Sequence, residues 1–274
     1  MTFENVTREE LLKNSKTPLR IVETEAEMYE DMAQVMFDAI TENNAAGKNT
    51  VFIVPVGPIG QYRILAEKVN AAKTDLSHVY FINMDEYLDE NDQPIPLEHP
   101  LSFIGFMNRE WYDLVDMPKE NRIFPEPGKE ELIARRIEEL GGVDISFGGV
   151  GINGHIAFNE PPEQDEDMTD EEFAALPTRV LSLTRETRTI NSVTAANGYI
   201  DYIPKRCITV GMKDILSAKK IRFYMNRTWQ KGIARKITLG PVSRFAPASF
   251  FQQHPDASIT LVSYVAEPPV GELH

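Results

Sequence analysis

The chain has 274 residues, with 42 Asp and Glu against 28 Lys and Arg and a formal net charge of -14. That balance excludes a nucleic-acid partner gripped through its phosphates, which needs clustered cations, but leaves room for a small anion held by one local patch of donors. With 42% hydrophobic and 26% charged residues, the composition is that of a folded, soluble chain able to bury a sizeable core.

Met1-Thr2-Phe3-Glu4-Asn5 lacks the basic and apolar regions of a secretion signal, and no apolar run reaches membrane-spanning length. A cytoplasmic location without membrane contact is expected. Thr7 to Asn14 is helix-compatible and Leu19 to Val22 reads as a short strand. Thr24 to Asn44 carries Met28, Met32, Val35, Met36 and Ile40 at helical spacing, and Thr24 with Glu27 has the spacing of a capping box. Thr50 to Pro55 is a nearly continuous apolar run, as expected of a strand buried on both faces. The loop Gly57-Pro58-Ile59-Gly60 and a helix from Gln61 to Ala71 complete a strand, loop and helix unit.

The unit recurs. His78 to Met84 is the next strand, ending in Asp85-Glu86, and a polar loop leads to a helix from Ser102 to Leu114. Glu130 to Leu140 is a helix with Gly141-Gly142 as its stop signal, and Val143 to Phe147 is a strand. The glycine-rich stretch Gly148 to Pro161 follows, then the acidic run Glu163 to Glu172, which reads as a solvated segment or a lid. Val180 to Leu183, Arg206 to Gly211, Lys220 to Met225 and Ser258 to Val265 are further strands, with helices at Thr187 to Ala196 and Trp229 to Leu239. Cys207, the only cysteine, sits in an apolar run and reads as a core residue. The pattern predicts one α/β domain over 1–274, an open, doubly wound, mostly parallel sheet with helices on both faces, Rossmann-like.

In such sheets the ligand sits beyond the carboxyl ends of the strands. The loops Gly57 to Gly60, Asp85-Glu86 and Gly151 to Glu160 qualify, as does a loop starting at Asn226 and carrying Arg227 and Lys231. Each has a plainer explanation: a turn at Gly57, a helix cap at Asp85, a satisfied core imidazole at His155. A metal held by Asp85, His155 and Glu160 has no supporting ligand spacing, and no metal site is expected.

Asn83-Met84-Asp85-Glu86-Tyr87, Glu98-His99-Pro100 and the run from Gly149 through Gly154-His155-Ile156-Ala157-Phe158-Asn159-Glu160-Pro161 closely resemble the glucosamine-6-phosphate deaminase family. The similarity continues through Thr187-Arg188, Thr209-Val210-Gly211 and Gln253-His254-Pro255. The resemblance implies an aldose–ketose isomerisation with loss of ammonia, on a sugar phosphate, without a cofactor, and is compatible with a homo-oligomer. It implies Asp85 as the base, His155 with Glu160 as the ring-opening pair, and Arg188, Lys231, Gly57 and Gly60 around the phosphate. Asn153 stands where the deaminases have an aspartate, which implies weakened or shifted turnover. The Gly57 loop is short and Pro58 removes a donor. Leu181, near Arg179, stands where activated members carry a lysine, which implies no activation by N-acetylglucosamine 6-phosphate. The alternatives are a 6-phosphogluconolactonase-like hydrolase, in which His155 activates water, and a non-catalytic sugar-phosphate sensor.

Overall fold

The computed structural model describes residues 3–271. Its strands are β1 (Leu19–Val22), β2 (Thr50–Val54), β3 (Val79–Asn83), β4 (Asp85–Leu88), β5 (Arg122–Ile123), β6 (Ile145–Gly148), β7 (Arg179–Ser182), β8 (Arg206–Thr209), β9 (Lys220–Met225) and β10 (Ala257–Val262). Seven of them form one sheet in the order β1-β10-β9-β6-β2-β3-β5, and every pairing in it is parallel. This is the expected doubly wound sheet.

Burial on both faces explains the continuous apolar runs. Along β2, Val51 and Ile53 point to one face, where they pack with Ile133, Ile137, Ile233 and Ile237 of helices α5 (Glu131–Glu139) and α9 (Lys231–Leu239). Phe52 and Val54 point to the other, with Met28, Met32 and Met36 of α2 (Glu25–Ala45) and Leu65 and Val69 of α3 (Gln61–Ala72). The period of two along the strand thus meets a helical stripe on each side.

Three expectations need adjustment. Thr24 accepts from the Glu27 amide at 3.1 Å, but Glu27 reaches back to the Glu23 amide at 2.9 Å, one residue short of a closed capping box. The helix expected from Ser102 to Leu114 stops as α4 (Phe103–Met107) and continues as a π-helical turn over Asn108–Tyr112. The wider turn puts Trp111 in a stack on Phe81 of β3, with ring centroids 5.2 Å apart. Asp85-Glu86 is not a loop: it opens β4, which joins β8 and β7 in a separate antiparallel sheet of order β4-β8-β7. Tyr87, Ile203 and the buried Cys207 are in a small core of its own.

The sheet order locates the crevice. From β2 the chain moves to β3 and β5 on one side, whereas β6 lands on the other side of β2 and β9 follows outward. Loops leaving β2 and β6 therefore diverge at adjacent strand ends, the topological switch point where ligands of this architecture bind. No helix among the described residues is long and apolar enough to cross a membrane.

Candidate active site

A cavity of about 360 Å³ opens at this switch point. The loop after β2 supplies Gly57, Pro58 and Ile59, and the loop after β6 supplies Gly149, Val150 and Gly151. The two loops touch: a Cβ on Gly149 would lie 2.9 Å from the Gly57 carbonyl oxygen, so only glycine allows that approach.

Asp85 lines the cavity and is 7% exposed. Burial, with the neighbouring Glu86 charge, raises its carboxyl well above the ordinary aspartate range. Its neighbour does the structural work that a capping role for Asp85 would have required. Glu86 accepts from the Ser102 hydroxyl at 3.1 Å and from the Phe103 and Ile104 amides at 3.1 and 2.8 Å, which satisfies the first turn of α4. Alternation along β4 thus leaves Asp85 to the cavity and gives Glu86 to the helix.

His155 also lines the cavity, 8% exposed. Asn153 Oδ1 lies 2.8 Å from its Nδ1 and 3.2 Å from its backbone nitrogen. Two donors converging on one oxygen put the ring proton on Nδ1 and leave Nε2 as the acceptor. Thr187 of α7 (Arg185–Ala195) adds a hydroxyl 3.3 Å from the same Nδ1. Burial lowers the imidazole to about 4, so it is neutral at physiological pH. The ring lies over Gly151, where a Cβ would collide with it. Ala157, also in the cavity wall, holds a positive φ of 53°, a conformation that costs an alanine energy and persists where the surroundings enforce it.

Other expected residues fall elsewhere. Glu160 is not hydrogen-bonded to His155: its carboxylate accepts from the Thr184 amide at 2.7 Å and the Thr184 hydroxyl at 2.6 Å, and so anchors the start of α7. Arg188 donates to the Ile200 carbonyl at 3.1 Å and does not line the cavity, and nor does Lys231 at the start of α9. Gly60 serves packing, because a Cβ there would run into the Tyr29 ring. Among the described residues, the cation that does line the cavity is Arg227, which the sequence placed in the fourth loop. Asn191 and Thr194 line it from α7, and Asn191 donates to the Tyr87 hydroxyl at 2.8 Å. These two were missed, although Thr187, Asn191 and Thr194 recur at helical spacing as a polar face. The acidic run ends in a short helix, α6 (Asp170–Ala174), capped by Thr169, and lies outside the cavity lining. Among the described residues no group of three or more His, Cys, Asp or Glu side chains is arranged to hold a metal.

No protein-family model matches the chain. It is 30% identical over 241 residues to glucosamine-6-phosphate deaminase of Thermoanaerobacter pseudethanolicus, covering 85% of this chain and 89% of that one. The chain belongs to the glucosamine-6-phosphate deaminase family. The enzyme of the same name from Lachnoclostridium phytofermentans is 31% identical over 245 residues, 85% of this chain and 96% of that one. Among solved structures, a monomeric glucosamine-6-phosphate deaminase superposes with a TM-score of 0.75 at 26% identity, covering 90% of this chain and 98% of that one. The 6-phosphogluconolactonase of Trypanosoma brucei shares the fold, with a TM-score of 0.67 at 18% identity, covering 93% of this chain and 100% of that one.

Proposed function

We propose that this member of the deaminase family converts glucosamine 6-phosphate, or a closely related hexosamine 6-phosphate, to the ketose 6-phosphate with release of ammonia. The observation that carries the reading is Asp85, a buried carboxyl in the cavity wall with a raised pKa, in the same cavity as an imidazole held as a neutral base. Aldose–ketose isomerisation needs one base to take the C2 proton and return it to C1. A carboxylate pushed up by burial is a stronger base, and the substrate's own ammonium group would offset the loss of solvation when it ionises.

The remaining roles follow from the same chemistry. In ring opening the bond from C1 to the ring oxygen breaks, the anomeric hydroxyl loses its proton as the aldehyde forms, and the ring oxygen gains one. His155, with Nδ1 committed to Asn153, takes and gives these protons through Nε2. Asp85 then moves the proton from C2 to C1 while the substrate's ammonium passes one of its protons to O1, so that C1 becomes a hydroxymethyl group, C2 becomes an iminium and Asp85 ends in the state in which it began. Water adds at C2, ammonia leaves, and a ketone remains. Arg227, with the Gly57 loop, is assigned to the phosphate; Arg188 and Lys231 stay secondary candidates. Glu160 is assigned to positioning α7, and through Thr187 the histidine.

We read the chain as one domain acting in the cytoplasm, since residues of both sheets line the cavity. The homo-oligomer with which the resemblance is compatible meets a solved relative described as monomeric, and sedimentation of the purified chain decides between them. The test of function is a panel of hexosamine 6-phosphates and 6-phosphogluconolactone, assayed for ammonia, ketose and acid. Ammonia with stoichiometric ketose supports the proposal; acid from the lactone without ammonia overturns it.

A further inference from the structure

The cavity carries a polar group that the reaction steps above leave unused. Asn226 follows directly on β9, lines the cavity and is 6% exposed. Its amide nitrogen donates to Glu25 Oε2 at 3.1 Å and to the Tyr29 hydroxyl at 3.0 Å. Tyr29 donates to Glu25 Oε2 at 3.2 Å, and the Tyr264 hydroxyl lies 2.8 Å from Glu25 Oε1 and 2.6 Å from the Asn226 carbonyl.

Counting protons fixes the amide. A carboxylate only accepts and the single Tyr29 proton is already on Glu25, so both Asn226 N–H bonds must face this cluster. Burial alone would raise the Glu25 carboxyl, but hydrogen bonds from Tyr264, Asn226 and Tyr29, with the Arg227 charge, hold it below the ordinary glutamate value. Burial raises Tyr29 and Tyr264, so both stay protonated. What remains is Asn226 Oδ1, an acceptor in the cavity wall to which no donor among the described residues is bonded.

Arg227, next in the chain, lines the same cavity. An acceptor oxygen beside a guanidinium repels the oxygens of a dianionic phosphate and suits a hydroxyl on the carbon next to an ester phosphate. In a closed pyranose 6-phosphate that carbon carries the ring ether oxygen, which has lone pairs and no proton. Opening the ring turns this oxygen into a hydroxyl that can donate.

We propose that Asn226 is a specificity-determining residue that accepts a hydrogen bond from the hydroxyl formed on ring opening, so that the site favours the open amino-sugar phosphate over the closed ring. Glu25, Tyr29 and Tyr264 are its positioning residues. This rests on the amino-sugar-phosphate reading and adds the form of the sugar that is bound.

The test uses two non-reacting compounds: 2-amino-2-deoxyglucitol 6-phosphate, which is open and has the hydroxyl, and its 1,5-anhydro counterpart, which keeps the ring ether. Both are titrated by calorimetry into the wild-type chain, N226L and E25Q, with circular dichroism as the folding control. N226L is expected to lower the open-to-ring affinity ratio about tenfold, the worth of one well-made hydrogen bond. E25Q lowers the ratio in the same direction, because a Gln amide can donate and lets the Asn226 amide turn over; it decides alone if N226L fails to fold. A ratio that stays within about threefold of wild type in the folded variants overturns the proposal, and the deaminase reading stands if the wild type releases ammonia. If the wild type binds neither compound yet releases ammonia, the proposal falls alone. Without binding or ammonia, both fall.

Discussion

Two parts of the cavity lining solve different problems. Asp85 and His155 are less than a tenth exposed and are tuned by burial in opposite senses, the carboxyl upward and the imidazole downward. Arg227 is exposed, and its backbone amide is tied by the Gln230 side chain at 2.8 Å. Burial brings the Asp85 carboxyl toward neutrality, where it exchanges a proton more readily, and keeps the imidazole neutral, with Nε2 open as an acceptor. Anion capture gains from a permanent charge that water can reach before the ligand arrives.

The strongest way to break this comparison is to remove the buried carboxylate. Asp85→Asn is expected to lower ammonia release about a thousandfold, the scale of a lost general base, while raising Tm by about 3 °C. The second half follows from linkage. A raised carboxyl contributes stability that is fully present below its unfolded pKa and is lost as pH rises through its folded one. At neutral pH the native state therefore bears a cost that an amide does not. Rates of ammonia release with melting curves at neutral pH check both parts; an unchanged rate removes Asp85 from the chemistry.

Arg227→Ala tests the exposed part. Loss of a charge-assisted contact of about 1.5–3 kcal/mol predicts KM for the hexosamine phosphate up about ten- to a hundredfold with kcat nearly constant. Arg188→Ala is the matched control: its guanidinium is on the Ile200 carbonyl, so its KM is expected to change less than threefold, or about 0.6 kcal/mol. The reverse order would return the phosphate to Arg188 and require α7 to move on binding.

Asn153→Asp sharpens the buried part. A carboxylate 2.8 Å from Nδ1, where Asn153 Oδ1 now lies, is expected to raise the imidazole by about 1–3 pH units from its present value. Wild type then shows no histidine limb in its rate profile until pH falls toward about 4, whereas the variant shows one nearer neutrality, with ammonia release up about tenfold. Stability carries the same sign: the lowered His155 contributes stability present above its unfolded value, lost as pH falls from about 6.5 to about 4. Unchanged ammonia release and an unmoved acid limb would mean that Asn153 holds the histidine as well as a carboxylate does.

How much of this was legible from sequence depended on how each residue is buried. The parallel strands were readable because two-sided burial writes them as unbroken apolar runs such as Thr50 to Val54. The small sheet was harder. A single residue, Met84, separates β4 from β3, and the Asp85 and Glu86 of β4 look like loop residues because one serves the cavity and the other caps α4. In the site, the Gly148 to Pro161 run pointed to His155, which lines the cavity, but not to where Glu160 would go: an antiparallel bridge between Ile156 and Asn159 precedes it, and its carboxylate is on Thr184. Spacing along a loop does not encode such a turn. Arg227 was visible only as a neighbour of Lys231, with nothing local to rank the two.

The smallest effect concerns that same turn. Ala157 sits at φ 53° in the cavity wall, between His155 and the Phe158 amide that donates to the Thr209 hydroxyl at 3.1 Å. Glycine takes this conformation without the Cβ penalty but gives the unfolded chain more freedom. The two terms oppose each other, and relief of a left-handed alanine, about 1 kcal/mol, is expected to exceed the entropy term slightly. Ala157→Gly should therefore shift the urea midpoint upward by less than about 0.5 M. If instead it loses stability while kcat holds, the backbone at this position is not strained, and the conformation is set by the Asn159 and Thr209 contacts at no cost to the fold.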